Sequence, residues 1–138
     1  MTEPQQEYWF WGSYVYKHLQ DMLAQVRRYM EWNDRDGDHV LETTIPMAGD
    51  DGFWTTRLSI LHLGKSLPDP RRNTNVKVVV TTTERGLPTG SGPNPERKAD
   101  ANRDRELAQY LSNLLNGSEA ASEPDGSASF HLTVFAWE

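Results

Sequence analysis

The sequence contains no cysteine. That excludes disulfides, a thiolate nucleophile and any zinc site built on sulfur ligands. A long apolar run is missing too: nothing in the chain approaches the ~20 residues of a membrane-spanning helix. The opening residues, Met1-Thr2-Glu3-Pro4-Gln5-Gln6-Glu7, are acidic where a secretory leader would be basic, and the apolar stretch at 8–11 is too short for one. The expected setting is therefore the cytoplasm or a particle assembled inside a cell, with no membrane partner. Positive charge is also scarce. Fourteen Lys+Arg stand against 20 Asp+Glu, a net charge of −6, and this balance disfavours nucleic acid as a partner, whose binding domains are usually basic.

Apolar residues are few as well, at 36% of 138 residues with a mean hydropathy of −0.73. The length suits one domain spanning 1–138, able to bury roughly 68% of the unfolded chain's surface. What the chain does have is aromatic side chains: five Trp, five Tyr and four Phe, each bringing a large buried area. A folded domain with polar loops at 64–74, 84–101 and 117–127 is expected.

Apolar positions at Tyr8, Val15, Leu19, Met22, Val26 and Tyr29 step by about 3.5 residues and read as a helix over 8–31. Two starts compete. Thr2 with Gln5 forms a capping-box pattern that would begin one long helix, whereas Ser13 after Gly12 favours a start near Ser13, and the second is preferred. The turn formers from Trp32 to Asp38 end this element. Three strands with period-two alternation follow, at 39–47, 53–63 and 75–83, with a five-residue hairpin loop at 48–52. Their apolar faces are Leu41, Ile45 and Met47; Trp54, Leu58 and Ile60; and Val76, Val78 and Val80. A second helix at 102–116 carries Leu107, Tyr110, Leu111, Leu114 and Leu115, with Gly117 as its C′ residue. A last strand at 129–137 alternates Phe130, Leu132, Val134 and Ala136 against His131, Thr133, Phe135 and Trp137. Bulk on both faces predicts a central or covered strand.

The expected fold is thus α+β, in the order α-β-β-β-α-β, with two helices on one face of a mostly antiparallel four-stranded sheet. This order resembles that of the small ring-forming tail-completion proteins of phages; the likeness is one of element order and transfers no residues. Residues 13–116 alone are similar in order to double-stranded-RNA-binding domains. Those domains place a Lys-rich cluster at the start of the second helix to meet phosphates, where this chain has the nearly charge-balanced run from Glu96 to Arg105.

Familiar catalytic patterns fail on spacing. Gly64-Lys65-Ser66 lacks the earlier glycine and following helix of a phosphate loop, having Ser59 and Leu67-Pro68 in those places. Gly90-Ser91-Gly92 lacks the strand–turn–helix of a nucleophile elbow. No catalytic residue and no cofactor is expected. Asp34, Asp36 and Asp38 around Gly37 are candidate metal ligands, joined by Glu42, but Trp32 and Thr43 occupy the first and twelfth positions of a calcium loop. His18, His39, His62 and His131 form no spaced pair; His62 and His131 lie on strands that could face each other.

Two features remain as candidate partner-binding sites. Basic residues gather in two loops, Lys65, Arg71 and Arg72 in one and Arg97, Lys98, Arg103 and Arg105 in the other; if both sit at one end of the sheet they would grip an acidic partner or a phosphate backbone. The run Tyr8-Trp9-Phe10-Trp11, with Tyr14 and Tyr16, holds more rings than one helix face can bury, and Trp9 and Trp11 are the expected contacts to a protein partner or a second copy. A non-enzymatic binding or assembly subunit is the leading expectation, possible in homo-oligomeric form. A nucleic-acid-binding module and an enzyme of unrecognised type are the alternatives.

Overall fold

Three successive segments that alternate apolar and polar residues build one antiparallel sheet. The computed structural model describes residues 3–26, 32–35, 38–49, 52–62, 71–86, 96–98 and 101–134. Its strands are β1 (Asn33–Arg35), β2 (Asp38–Gly49), β3 (Gly52–His62), β4 (Thr74–Gly86), β5 (Glu96–Lys98), β6 (Ala121–Ser122) and β7 (Ala128–Val134), and its helices are α1 (Glu3–Val26) and α2 (Ala101–Leu115). The strands lie in the order β1-β2-β3-β4-β7-β6, with β5 beside the far end of β4. Every pairing is antiparallel. The expected α+β class and helix-on-one-face arrangement hold. Seven strands stand where four were expected; the four long ones are those read from the sequence, and the other three add only two or three residues each.

One face of the sheet is apolar and buried under both helices. Leu41 and Ile45 of β2, Leu58 and Ile60 of β3, Val76, Val78 and Val80 of β4, and Ala128, Phe130, Leu132 and Val134 of β7 pack in a single cluster with Val15, Leu19 and Met22 of α1 and Leu107, Ala108 and Leu111 of α2. The register explains the shared face. Leu41 lies opposite Ile60, Ile60 opposite Val78 and Val78 opposite Phe130, so directly paired residues stack their side chains into the same layer.

Helix α1 runs unbroken from Glu3, which corrects the expected start near Ser13. Gly12 lies inside the helix and serves packing there. A Cβ at Gly12 would stand 2.9 Å from Cε2 of Tyr110, so the missing side chain admits the Tyr110 ring of α2. Ser13 Oγ and Tyr110 Oη share a hydrogen bond of 3.2 Å at the same crossing.

In α2 the buried line is Asp104, Leu107, Ala108, Leu111 and Ser112. This is rotated from the leucine-based expectation, since Leu114 is exposed. The helix ends in a Schellman turn: the Gly117 N–H donates to the Ser112 carbonyl at 2.9 Å, and Asn116 takes the left-handed conformation at φ 56°. Asn116, not Gly117, is therefore the C′ residue. Gly117 is required for a different reason, because a Cβ there would meet Ser112 Oγ at 2.8 Å and the His131 carbonyl at 3.0 Å.

The connection at 117–127, expected as a polar loop, is held in place by hydrogen bonds. Ser118 N–H donates to the His131 carbonyl at 2.9 Å, and Ser118 Oγ accepts from His131 N–H at 2.7 Å. Strand β7 is consequently next to the sheet margin and not central; Phe135 and Trp137 lie outside the described residues. Strands β2 and β3 extend to a Gly49–Gly52 pair, so the expected five-residue loop shortens to residues 50–51. The loop expected at 84–101 contains the end of β4 and the whole of β5.

Candidate functional site

Helix positions on α1 sort by exposure. Gly12, Val15, Leu19 and Met22 form the buried line, while Tyr14, Lys17 and Asp21 are exposed on the opposite side. Tyr14 keeps 43% of its surface in solvent and sets its ring edge-on to His18 at 4.9 Å. Because α1 is helical from Glu3, positions 8–11 follow the same 100° steps. Trp9 and Trp11 therefore stand about 200° apart around the helix axis.

The basic residues do not converge. Arg71 and Arg72 are exposed in the turn before Thr74, where β4 begins. Arg97 pairs in register with Glu84, and Lys98 with Thr83, near the other end of β4. Glu84 lies ten residue steps along the strand from Thr74, a span of about 33 Å. The sheet thus holds the two basic groups apart, and the single grip considered from the sequence is not formed. Sequence alone could not settle this, since it depends on which end of β4 each loop joins.

The histidines are arranged differently from the sequence expectation. His62 pairs in register with Val76 and His131 with Lys77, and neighbouring residues of β4 point to opposite faces, so His62 and His131 lie on opposite sides of the sheet. The partner of His62 is His39, directly across the β2–β3 ladder. Their ring centroids are 6.2 Å apart with planes 20° from parallel, and Trp32 meets His62 edge-on at 6.4 Å. Burial, reinforced by the neighbouring His39, holds the His62 imidazole below its ordinary pKa. Nδ1 of His62 is buried without a hydrogen-bond partner among the described residues.

Of the three aspartates considered as metal ligands, Asp36 lies outside the described residues. Asp34 pairs with His39 and Asp38 with Arg35. Successive pairs of a ladder alternate faces, so positions 34 and 38 are not adjacent on one face of the β1–β2 ladder. Among the described residues no three His, Asp or Glu side chains converge on a metal position. The pairing Asp34–His39 was hidden in the sequence because residues 32–38 read as one turn; the signal was the Asp36-Gly37 dipeptide, a frequent two-residue hairpin connection.

The sheet face away from the helices mixes apolar Val40, Leu61 and Val79 with side chains that bond one another. Ser59 donates to Glu42 at 3.2 Å, Thr81 and Ser127 share a bond of 2.6 Å, and Thr133 donates to Asn75 at 2.8 Å. Lys77 pairs with Glu123 at 2.5 Å, fastening the 117–127 connection to β4. No described helix is long and apolar enough to cross a membrane. Set against known protein families, characterised proteins and solved structures, the chain matches none.

Proposed function

We propose that the chain is a non-enzymatic binding or assembly subunit that docks through the N-terminal half of α1. The supporting observation is the unbroken helix from Glu3 to Val26. Four consecutive aromatic residues, Tyr8 to Trp11, stand at 100° intervals on such a helix, whereas a domain covers one side of a helix that packs on it. Some of this aromatic surface therefore falls to another molecule, and Tyr14 continues it along the exposed line. Exposed aromatic surface is the composition favoured at protein interfaces.

A second copy of the chain is the specific partner we propose, which makes the protein a homo-oligomeric structural component of the kind its element order suggests. The test is solution mass by size-exclusion chromatography with light scattering, at low and high salt. A salt-resistant oligomer that dissociates in Trp9→Ser, Phe10→Ser and Trp11→Ser variants supports the reading. A monomer at every concentration overturns self-association. An oligomer unchanged by these substitutions moves the interface away from α1.

A further inference from the structure

We propose that the outer edge of β2, from Leu41 to Gly49, pairs with the same edge of a second copy of the chain about a two-fold axis at Ile45. The proposal rests on the self-association reading above and names where the two copies meet.

The two margins of the sheet are finished differently. On the β7 side, β6 pairs with residues 128–129, and Ser118 bonds both the N–H and the carbonyl of His131. On the β2 side, β1 pairs only with residues 38–40. Beyond Val40, β2 runs on to Gly49 in unbroken register with β3, and no described strand lies on its other side. A long strand edge is a template for another strand, and native edges are blunted by Lys, Pro, a bulge or short length. Residues 41–49 hold no Lys or Arg and no bulge; Pro46 is their one such device.

Pro46 also reports which backbone groups face outward. Lacking an N–H, it fits a ladder only where the amide side points away from the neighbouring strand. Antiparallel strands alternate, so the N–H and C=O of Thr44 turn outward with it. Both Thr44 and Pro46 are exposed.

Symmetry selects the occupant and the register. A two-fold interface uses one patch twice, so a single open edge is enough for a second copy. An axis at Ile45 sets position 41 against 49 and Thr44 against Pro46 of the second copy. The whole stretch is then paired, β1 of neither copy is displaced, and each Thr44 N–H donates to the Pro46 carbonyl across the junction. An axis at Thr44 would drive position 48 against Val40, a place β1 already holds. An axis at Pro46 would oppose two prolines with no donor between them. Charge permits the contact despite a net −6 per chain, because Glu42 is the one charged residue in 41–49 and accepts from Ser59. Helix α1 lies against β2 while α2 lies against β4 and β7, so the same axis brings the two α1 helices to the junction, on one side of a joined sheet.

Cross-linking reads the register directly, since the chain has no cysteine of its own. Thr44→Cys and Pro46→Cys proteins, mixed and mildly oxidised, should give a disulfide-linked dimer, because bonded pairs stand ~5.5 Å apart at Cα, within a disulfide's reach. Either protein alone should stay unlinked, its two cysteines being two residues out of register. Thr44→Pro removes an outward amide and spares the β3 ladder; it should raise the dimer dissociation constant at least about tenfold in sedimentation equilibrium, two backbone hydrogen bonds being lost, with an unchanged circular dichroism spectrum. Cross-linking of either cysteine variant alone as fast as the mixture, or an oligomeric parent that neither cross-links in the mixture nor weakens in Thr44→Pro, overturns the edge pairing and leaves self-association standing. A parent monomeric at every concentration overturns both. A dimer lost in Thr44→Pro yet kept in Trp9→Ser and Trp11→Ser supports the edge pairing and overturns docking through α1.

Discussion

Asp104 Oδ1 accepts a hydrogen bond from the backbone N–H of Thr82 at 3.1 Å, and both residues are fully buried. The location explains the need. Strand β7 pairs with β4 only as far as Val80, and β5 begins its pairing at Thr83. The amide of Thr82 falls in the gap between them, and the first turn of α2 delivers a carboxylate to it. A helix N-terminus also favours a negative charge. Asp104→Ala should destabilise the fold by about 1–3 kcal/mol, the usual consequence of stranding a buried donor. Asp104→Asn keeps an acceptor in place and should lose less. Urea unfolding midpoints of the three proteins decide the matter; equal midpoints for parent and Asp104→Ala would refute the account.

The end of α2 yields a prediction of opposite signs at neighbouring positions. Asn116 holds φ 56°, a conformation in which glycine is unstrained. Asn116→Gly should therefore be neutral or slightly stabilising. Gly117→Ala inserts a Cβ within 3.0 Å of the Phe130 ring, the His131 carbonyl and Ser112 Oγ. Overpacking of this kind costs about 1–3 kcal/mol. Thermal melts of the two variants should move apart; a Gly117→Ala protein as stable as the parent would contradict the close packing.

Much of the architecture is legible in the sequence because period-two alternation fixes a face whatever the strand order. The buried sets Leu58 with Ile60, Val76 with Val78 and Val80, and Phe130 with Leu132 and Val134 are those the alternation predicts. The helices were harder. Gly12 signals a break when read by propensity alone, yet Tyr110 of a distant helix occupies the space its side chain would fill. Leucine spacing placed Leu114 in the core and overlooked Asp104 and Ser112, because nothing local shows that a strand gap awaits a carboxylate. The histidine pairing depended on register: His39 and His62 are 23 positions apart and become neighbours only through the β2–β3 hairpin. The separation of the basic residues likewise depended on the direction of β4.

Glu123 gives a pH-dependent test. Its hydrogen bond from Lys77, and then one from Ser129, hold the carboxyl below its ordinary value of 4.5. A depressed folded pKa means that the unfolded chain binds the proton more readily, so stability rises with pH through this window. The contribution is fully present above 4.5 and is lost as pH falls through the lowered folded value. Lys77→Met removes the leading cause. Urea unfolding measured on both sides of this window should show a smaller acid loss in Lys77→Met than in the parent. Identical pH profiles would mean that the ion pair at 2.5 Å contributes nothing to folding.

The buried hydroxyl pair Thr56 and Thr82 supports a double-mutant cycle. Their Oγ1 atoms are 3.0 Å apart on the helix-covered face, both fully buried. Valine has nearly the shape of threonine and a good strand propensity, so Thr56→Val changes little except the hydrogen bond. The hydroxyl of Thr82 is then left in the core without its partner, at a cost of about 1–3 kcal/mol. Thr82→Val should do the same to Thr56, while its backbone amide remains free to bond Asp104. In the double variant both polar groups are gone, and the stability should return close to that of the parent or exceed it. A coupling of about 0.5–3 kcal/mol between the two sites is expected from denaturant melts. Additive effects of the two substitutions would show that the hydroxyls find other partners when separated, and that the bond between them does not hold these strands together.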